Sequence, residues 1–441
     1  MNIVMLSGGS GKRLWPLSND IRSKQFIKIF KKPDGTYESM VQRVYRQIKT
    51  VDAQAAITIA TSKSQVSAIR NQLGNQVEVC VEPCRRDTFP AIALACAYFK
   101  DTQKMDDTDV VVVCPVDPYV NTDYFKALQA LSNRVGETEA NMVLMGIQPT
   151  YPSEKYGYVI PEEKAVFSKV RMFKEKPNAE TALEYIAQGA LWNGGVFAFK
   201  LGYLLAKAHD LMDFTDYRDL FAKFDSLAKI SFDYAVVENE SEIEVMHFSG
   251  QWKDLGTWNT LTEAMEEASI GEAILDDACE NVHVLNELNL PVLCMGLKNM
   301  VVSASPDGIL VSDKARSSYI KPYVDTLDQR VMFAEKSWGS FHIVNVGDDN
   351  LTIKVTLHSG RSMNYHSHQY RDEVWTVVSG RGSVILDGAI QKAAPGDVIK
   401  IPAGRKHTVI ADTELHIIEV QLGTDINVED KIKHKLPQDL R

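Results

Sequence analysis

The run Ile3-Val4-Met5-Leu6 is strand-like, and two residues later it breaks into Gly8, Gly9 and Gly11, with Lys12 and Arg13 close behind. A strand that ends in three glycines must turn sharply. Glycine takes backbone angles closed to other residues and lets a ligand approach the main-chain N–H groups. Two cations at the end of such a turn, with Lys24 as a third, suit a polyphosphate. The spacing matches neither common phosphate loop: no Ser or Thr follows the lysine, and the glycines lack the dinucleotide-fold spacing. Taken alone, the run reads equally as a strand-to-loop turn without a ligand.

A long alternation follows. Ile57–Ala60, Val77–Val81, Val110–Cys114 and Met142–Gly146 read as short apolar strands. Residues 89–100, rich in Ala, Ile and Leu and free of glycine, read as a helix. This pattern predicts an α/β domain with a largely parallel sheet, whose ligands bind beyond the carboxyl ends of the strands. A chain of 441 residues has room for two or three domains. Its net charge of −10 argues against a nucleic-acid surface, so a nucleotide must be held by local cations. No apolar run approaches the roughly 20 residues of a membrane span, and the first strand is too short for a signal peptide. The expectation is a cytoplasmic protein without membrane contact. Among the six cysteines, Cys80 and Cys84 read as a redox or metal pair or, with no second pair beside them, as structural thiols.

Polar residues gather where strands end. Glu82 leads through Arg85 and Arg86 to Thr88, a residue able to cap the helix that follows. Surface arginines beside a capped helix are the plain reading, and anion binding at the helix start is the functional one. Asp117 serves either as a turn residue or as a Mg²⁺ ligand, because Mg²⁺ takes oxygen ligands and few from protein. Lys176 offers a point charge for a sugar phosphate and Glu175 an acceptor for sugar hydroxyls; a solvated strand end is the alternative. Asn193 brings donor and acceptor together. Asp254, between Trp252 and Trp258, reads from the residues alone as a helix cap.

The string Gly8-Gly9-Ser10-Gly11-Lys12-Arg13-Leu14-Trp15-Pro16-Leu17-Ser18, followed by Lys24-Gln25-Phe26, resembles the signature of the bacterial mannose-1-phosphate guanylyltransferases, a group of sugar-nucleotide pyrophosphorylases. Further blocks follow in the family order: Glu82-Pro83 to Ala93, Pro115-Val116-Asp117, Tyr156-Gly157-Tyr158-Val159, Phe173 to Pro177, Trp192-Asn193-Gly194-Gly195, Phe232 to Glu238, and Trp252 to Trp258. Two positions depart from the family pattern, with Asp87 for Asn and Pro118 for His. The resemblance implies a Rossmann-like, GT-A type α/β nucleotidyltransferase that joins GTP and mannose-1-phosphate into GDP-mannose and pyrophosphate. It implies Gly8, Gly9, Gly11, Arg13 and Glu82 around the nucleotide, and Gly157, Glu175, Lys176, Asn193 and Asp233 around the sugar phosphate. Asp117 and Asp254 become the Mg²⁺ carboxylates, with Arg13, Lys24, Asp117 and Asp254 catalytic. The alternatives are a related transferase with another sugar or base, and a non-catalytic nucleotide-sugar sensor.

The transferase domain is expected over residues 1–265, a small β linker unit over 266–330, resembling a left-handed β-helix fragment, and an all-β domain over 331–441. Residues 319–329 read as the link between the last two, and the β unit as scaffold or contact for a homodimer. In the last part, Gly360, His366, His368, Glu373 and Gly380, then Gly396, Pro402, Gly404 and His407, resemble the two cupin motifs. Alternation along a strand puts His366 and His368 on one face, and Glu373 and His407 complete a set suited to Zn²⁺ or another divalent transition metal. The domain resembles the type II phosphomannose isomerase module, so a bifunctional enzyme that also isomerises mannose-6-phosphate is a further alternative. It departs at Asn364 for Gln, in the step from the histidines to Glu373, and in a tail with Glu429 that ends Pro437-Gln438-Asp439-Leu440-Arg441.

Overall fold

Ile3, Val4 and Met5 are buried on both sides of the strand Asn2–Ser7, as a central parallel strand requires. In this computed structural model the described residues are 1–9, 11–19, 21–327, 330–427 and 430–437. Ser10 of the glycine loop, Gln329 of the expected link, Glu429 and the ending 438–441 lie outside them. The chain forms two compact units, one of Met1–Gly11 with Ser23–Glu266, the other of Lys12–Arg22 with Glu267–Arg441.

In the first unit, Asn2–Ser7 pairs in parallel with Ala56–Ser62 and with Val110–Pro115, and Glu78–Glu82 lies beyond Ala56–Ser62, again parallel. Past Val110–Pro115 the sheet changes. Leu191–Lys200 runs antiparallel between it and Met142–Ile147, and the sheet ends with Ile243–Phe248, Phe167–Lys174 and Tyr158–Pro161. The sheet is nevertheless largely parallel, as expected: Ile243–Phe248 pairs in parallel with Met142–Ile147, and only Leu191–Lys200 and Phe167–Lys174 run against the other strands. Leu191–Lys200 contains Gly194 and Gly195, and its register breaks between Asn193 and Phe197. Such a bulge re-aims side chains at a strand end.

Helix Thr88–Asp101 is apolar around most of its circumference and buried along its length, packed against the sheet and the helices Leu201–Leu211 and Tyr217–Lys223. Burying Phe89, Ile92, Leu94 and Phe99 contributes roughly 1.5–3 kcal/mol each. The cap is Asp87, not Thr88: its carboxylate accepts from the Thr88 N–H at 2.8 Å. Thr88 instead accepts from the Phe232 N–H at 2.8 Å, tying the helix start to the segment that carries Asp233.

In the second unit, Ser269–Ile270, His283–Asn286 and Met300–Ser305 stack in parallel, as do Ala273–Leu275 and Val292–Cys294, around Val282, Val284, Cys294 and Val302. Parallel short strands of this kind match the expected β-helix fragment. A 3-10 turn, Arg316–Tyr319, leads into the link, which holds a short helix, Lys321–Val324. The cupin part follows as two sheets around one core. One runs Phe333–Lys336, Gly339–Val346, Asn350–Leu357, Leu415–Leu422, Asp372–Ser379, Val398–Ile401; the other runs Ala389–Ala393, Gly382–Leu386, His407–Ala411, His366–His368, Lys431–Lys433. Trp375, Val355 and Ile417 from the first meet Val384 and Val409 from the second.

Candidate active site and metal centre

Asp117 and Asp254 are far apart in sequence, and the fold brings them to one cation. Strand Trp252–Asp254 pairs antiparallel with Pro118–Val120, setting Asp254 opposite Pro118. The Lys24 Nζ lies 2.8 Å from an Asp117 oxygen and 3.7 Å from an Asp254 oxygen. Burial pulls the Lys24 ammonium down, but Asp117 and Asp254 outweigh it and raise its pKa above the ordinary lysine value. Both carboxylates stay partly exposed. Two oxygen donors facing one positive charge, open to solvent, fit a Mg²⁺ site.

A buried polar network fixes Lys24 and the glycine loop. The Gln65 carbonyl oxygen accepts from Ser7 Oγ at 3.1 Å and from Thr61 Oγ1 at 2.8 Å, while its amide donates to Ser23 Oγ at 2.7 Å. Ser23 Oγ donates to the Gly9 carbonyl at 3.1 Å, and Gln25 donates to Ser7 Oγ at 3.0 Å. Gly9 has φ +91°, an angle that favours glycine, and a side chain on Gly8 or Gly9 would meet nothing within 4 Å. Glu82 ends the outermost parallel strand, and burial pushes its carboxyl up to about 7, with Arg85 opposing. Arg13 is exposed on the turn Lys12–Leu14, which belongs to the second unit.

The five sugar-side residues meet. Asn193 Nδ2 donates to Asp233 Oδ1 at 2.6 Å, and the Asn193 N–H donates to the Gly157 carbonyl at 2.8 Å. A Cβ on Gly157 would lie 2.5 Å from a Glu175 oxygen, so a side chain there would displace the Glu175 carboxylate. Lys176 pairs with Glu175. Burial, then Glu175, pushes the Asp233 carboxyl up to about 6, against the hydrogen bond from Asn193. Four rings join this cluster to the Asp254 strand: Tyr156 and Trp192 at 4.9 Å, Tyr151 and Trp192 at 4.9 Å, and Tyr156 and Trp252 at 5.6 Å between centroids.

In the cupin part, the candidate ligand atoms of His366, His368 and His407 lie within 4.8 Å of one another, all buried. Each Nδ1–H donates to a backbone carbonyl: His366 to Asn364 at 2.6 Å, His368 to Asp430 at 3.2 Å, His407 to Arg405 at 3.0 Å. That tautomer turns every Nε2 lone pair inward. The His407 Nε2 is buried without a hydrogen bond. Burial, then Lys431 and His407, pushes His366 down to about 2, leaving the neutral imidazole that binds metal. Glu373 Oε1 lies 3.1 Å from His368 Nε2, and Oε2 lies 3.4 Å from His407 Nε2. Three converging nitrogens and a carboxylate fit a divalent metal.

Residues 2–269, more than half of the chain, match the nucleotidyl transferase family, and residues 353–421 match the cupin domain. The mannose-1-phosphate guanylyltransferase of Escherichia coli (strain K12) is 30% identical over 98% of this chain and 97% of its own length. The chain belongs to the mannose-1-phosphate guanylyltransferase family. Mannose-1-phosphate guanylyltransferase ManC of Salmonella typhimurium (strain LT2) is likewise 30% identical, covering 98% and 96%. A crystal structure from Thermus thermophilus, described as a mannose-1-phosphate geranyltransferase, superposes with a TM-score of 0.62 at 26% identity, over 74% of this chain and 98% of that one.

For this family member, sequence reasoning missed Thr61 and Gln65, which no motif marks, and the ring cluster, whose members come from three segments. It also missed the bonds from Trp375 Nε1 at 3.1 Å and Arg371 Nε at 3.2 Å that orient Glu373. The two-residue spacing of Arg371, Glu373 and Trp375 on one strand face was a usable signal.

Proposed function

We propose that this chain transfers GMP from GTP to mannose-1-phosphate, giving GDP-mannose and pyrophosphate. The observation that carries the reading is the meeting of Asp117 and Asp254 at Lys24, in a chain alignable end to end with named guanylyltransferases. A phosphate oxygen of the sugar attacks the α-phosphorus in line as the bond to the pyrophosphate oxygen breaks. No protein nucleophile is needed, so catalysis is positioning and charge neutralisation.

Gly8, Gly9 and Gly11 give the triphosphate close access to the backbone, Arg13 and Lys24 neutralise it, and Glu82 borders the nucleotide pocket. Asp117 and Asp254 would hold Mg²⁺, which when bound neutralises phosphate charge. Gly157 leaves room for the sugar, Glu175, Asn193 and Asp233 orient its hydroxyls, and Lys176 meets its phosphate. The three-part division at 1–265, 266–330 and 331–441 belongs to this reading, supported by the family matches over 2–269 and 353–421. So do a cytoplasmic location, supported by six free cysteines, and a homodimer, supported by exposed Ile274, Leu293 and Ile309 on the β unit. Among the described residues no helix is long and apolar enough to cross a membrane.

The cupin would hold Zn²⁺ or another transition metal on His366, His368, Glu373 and His407. An isomerase role also needs an acid–base pair and a phosphate clamp, and the tail residues where the resemblance looks for them, 429 and 438–441, lie outside the described residues.

The test mixes the protein with Mg²⁺, mannose-1-phosphate and each of the four nucleoside triphosphates in turn. Pyrophosphate release with GTP alone is expected. Release with another triphosphate instead, or with none, overturns the substrate assignment.

A further inference from the structure

Arg13 sits in a segment, Lys12–Arg22, whose packing partners lie in the β unit far along the chain. Ser305 Oγ donates to the Pro16 carbonyl at 2.8 Å in a buried setting. Asn19 Nδ2 donates to Asp307 Oδ2 at 2.6 Å, and Asn19 Oδ1 accepts from the N–H groups of Ile21 and Arg22 at 2.8 and 2.7 Å. Arg22 forms a two-pronged pair with Glu287, 2.7 Å on each arm. Its guanidinium also lies 5.2 Å from the centroid of the Phe333 ring. The indole of Trp15 lies so close to Gly308 that a Cβ there would come within 2.5 Å of it.

Asp307 is the junction of these bonds. Its Oδ2 holds Asn19, its Oδ1 accepts from the Met332 N–H at 2.7 Å, and its own N–H donates to Ser305 Oγ at 3.1 Å. Asp307 and Ser305 are both buried. One carboxylate thus ties the Arg13 segment to the strand turn below it and to the chain entering the cupin. A carboxylate is the side chain suited to this place, because it accepts on both oxygens and donates on neither.

We propose that Asp307, with Ser305 and Glu287, is a positioning device for transfer: the β unit sets the conformation of Lys12–Arg22, the segment that carries Arg13. The inference rests on the reading of Arg13 as a triphosphate ligand. Displacing such a group by about 1 Å can cost on the order of 100-fold in rate. The sequence gives no sign of the link, since residues 12–22 lie in the first signature block and residues 305–307 lie beyond the last one.

The test compares wild type, Asp307→Ala, Asp307→Asn and Ser305→Ala in the full chain, with Glu280→Gln as control. Glu280 pairs with Lys298 on the surface of the same β unit. Amide exchange in peptides from 12–22 should speed up at least tenfold in Asp307→Ala, less in Asp307→Asn and Ser305→Ala, and not in the control. Exchange in strands Val110–Pro115 and Leu415–Leu422 should stay as in wild type, which reports the fold intact. In the same proteins KM for the nucleoside triphosphate should rise about tenfold, with KM for the sugar phosphate within twofold. Unchanged exchange in 12–22, or an equal rise in both KM values, overturns the proposal. Exchange needs no turnover, so the two readings fail differently: a wild type silent on every triphosphate sinks the transferase reading, and unaltered 12–22 exchange sinks the positioning role.

Discussion

Lys24 and Asp233 show how single charges are set by their surroundings. Lys24 stays charged despite burial because two carboxylates face it. Asp233 is held near the edge of ionisation, with a carboxyl pushed up to about 6 by burial and by Glu175. Its carboxylate form accepts from Asn193, so on the proposed reading that form orders the sugar side. Because the pKa is raised, the useful form is present above about 6 and is lost as the pH falls through it. Between pH 7 and pH 5 the ionised fraction drops roughly tenfold. KM for the sugar phosphate should rise by about that factor over this range in wild type relative to Asp233→Asn. The substrate's own ionisation is common to both proteins and cancels in the ratio. A ratio that stays flat with pH would remove Asp233 from sugar binding.

Strands differ in how plainly their sequence announces them. Asn350–Leu357 and Leu415–Leu422 alternate buried and less buried residues and were legible. Ala389–Ala393 was not, because it is an edge strand exposed at four of its five positions, so no alternation marks it. Gly339–Val346 was missed for a similar reason, with an exposed second half. The His-x-His strand was legible through its motif, and its pairing with His407–Ala411, register His366 to His407, closes the metal set. Zinc titration should therefore give about one ion per chain, with a raised Tm. His407→Ala should weaken binding at least tenfold and abolish the Tm shift. Equal stoichiometry and shift in that variant would place the metal elsewhere.

At the scale of the whole molecule, the ordered blocks named the residues of both sites and the resemblance set Asp117 with Asp254, yet no local pattern showed how the fold would bring them together. Lys24, Asp117 and Asp254 come from three separated segments, and their convergence depends on the pairing of Trp252–Asp254 with Pro118–Val120. The two reversed strands of the sheet were hidden because strand direction leaves no trace in local periodicity. The division of the chain was hidden too, since Lys12–Arg22 lies inside the signature yet packs with the C-terminal unit. The central claim is that the paired acids bind the ion that transfer requires. Pyrophosphate release should be measured against Mg²⁺ concentration for wild type, Asp117→Ala and Asp254→Ala, with GTP and mannose-1-phosphate saturating. The account predicts a Mg²⁺-dependent wild type and a loss of about 10³-fold or more in each variant. Near-wild-type release from either variant, at the same Mg²⁺ midpoint, would contradict it.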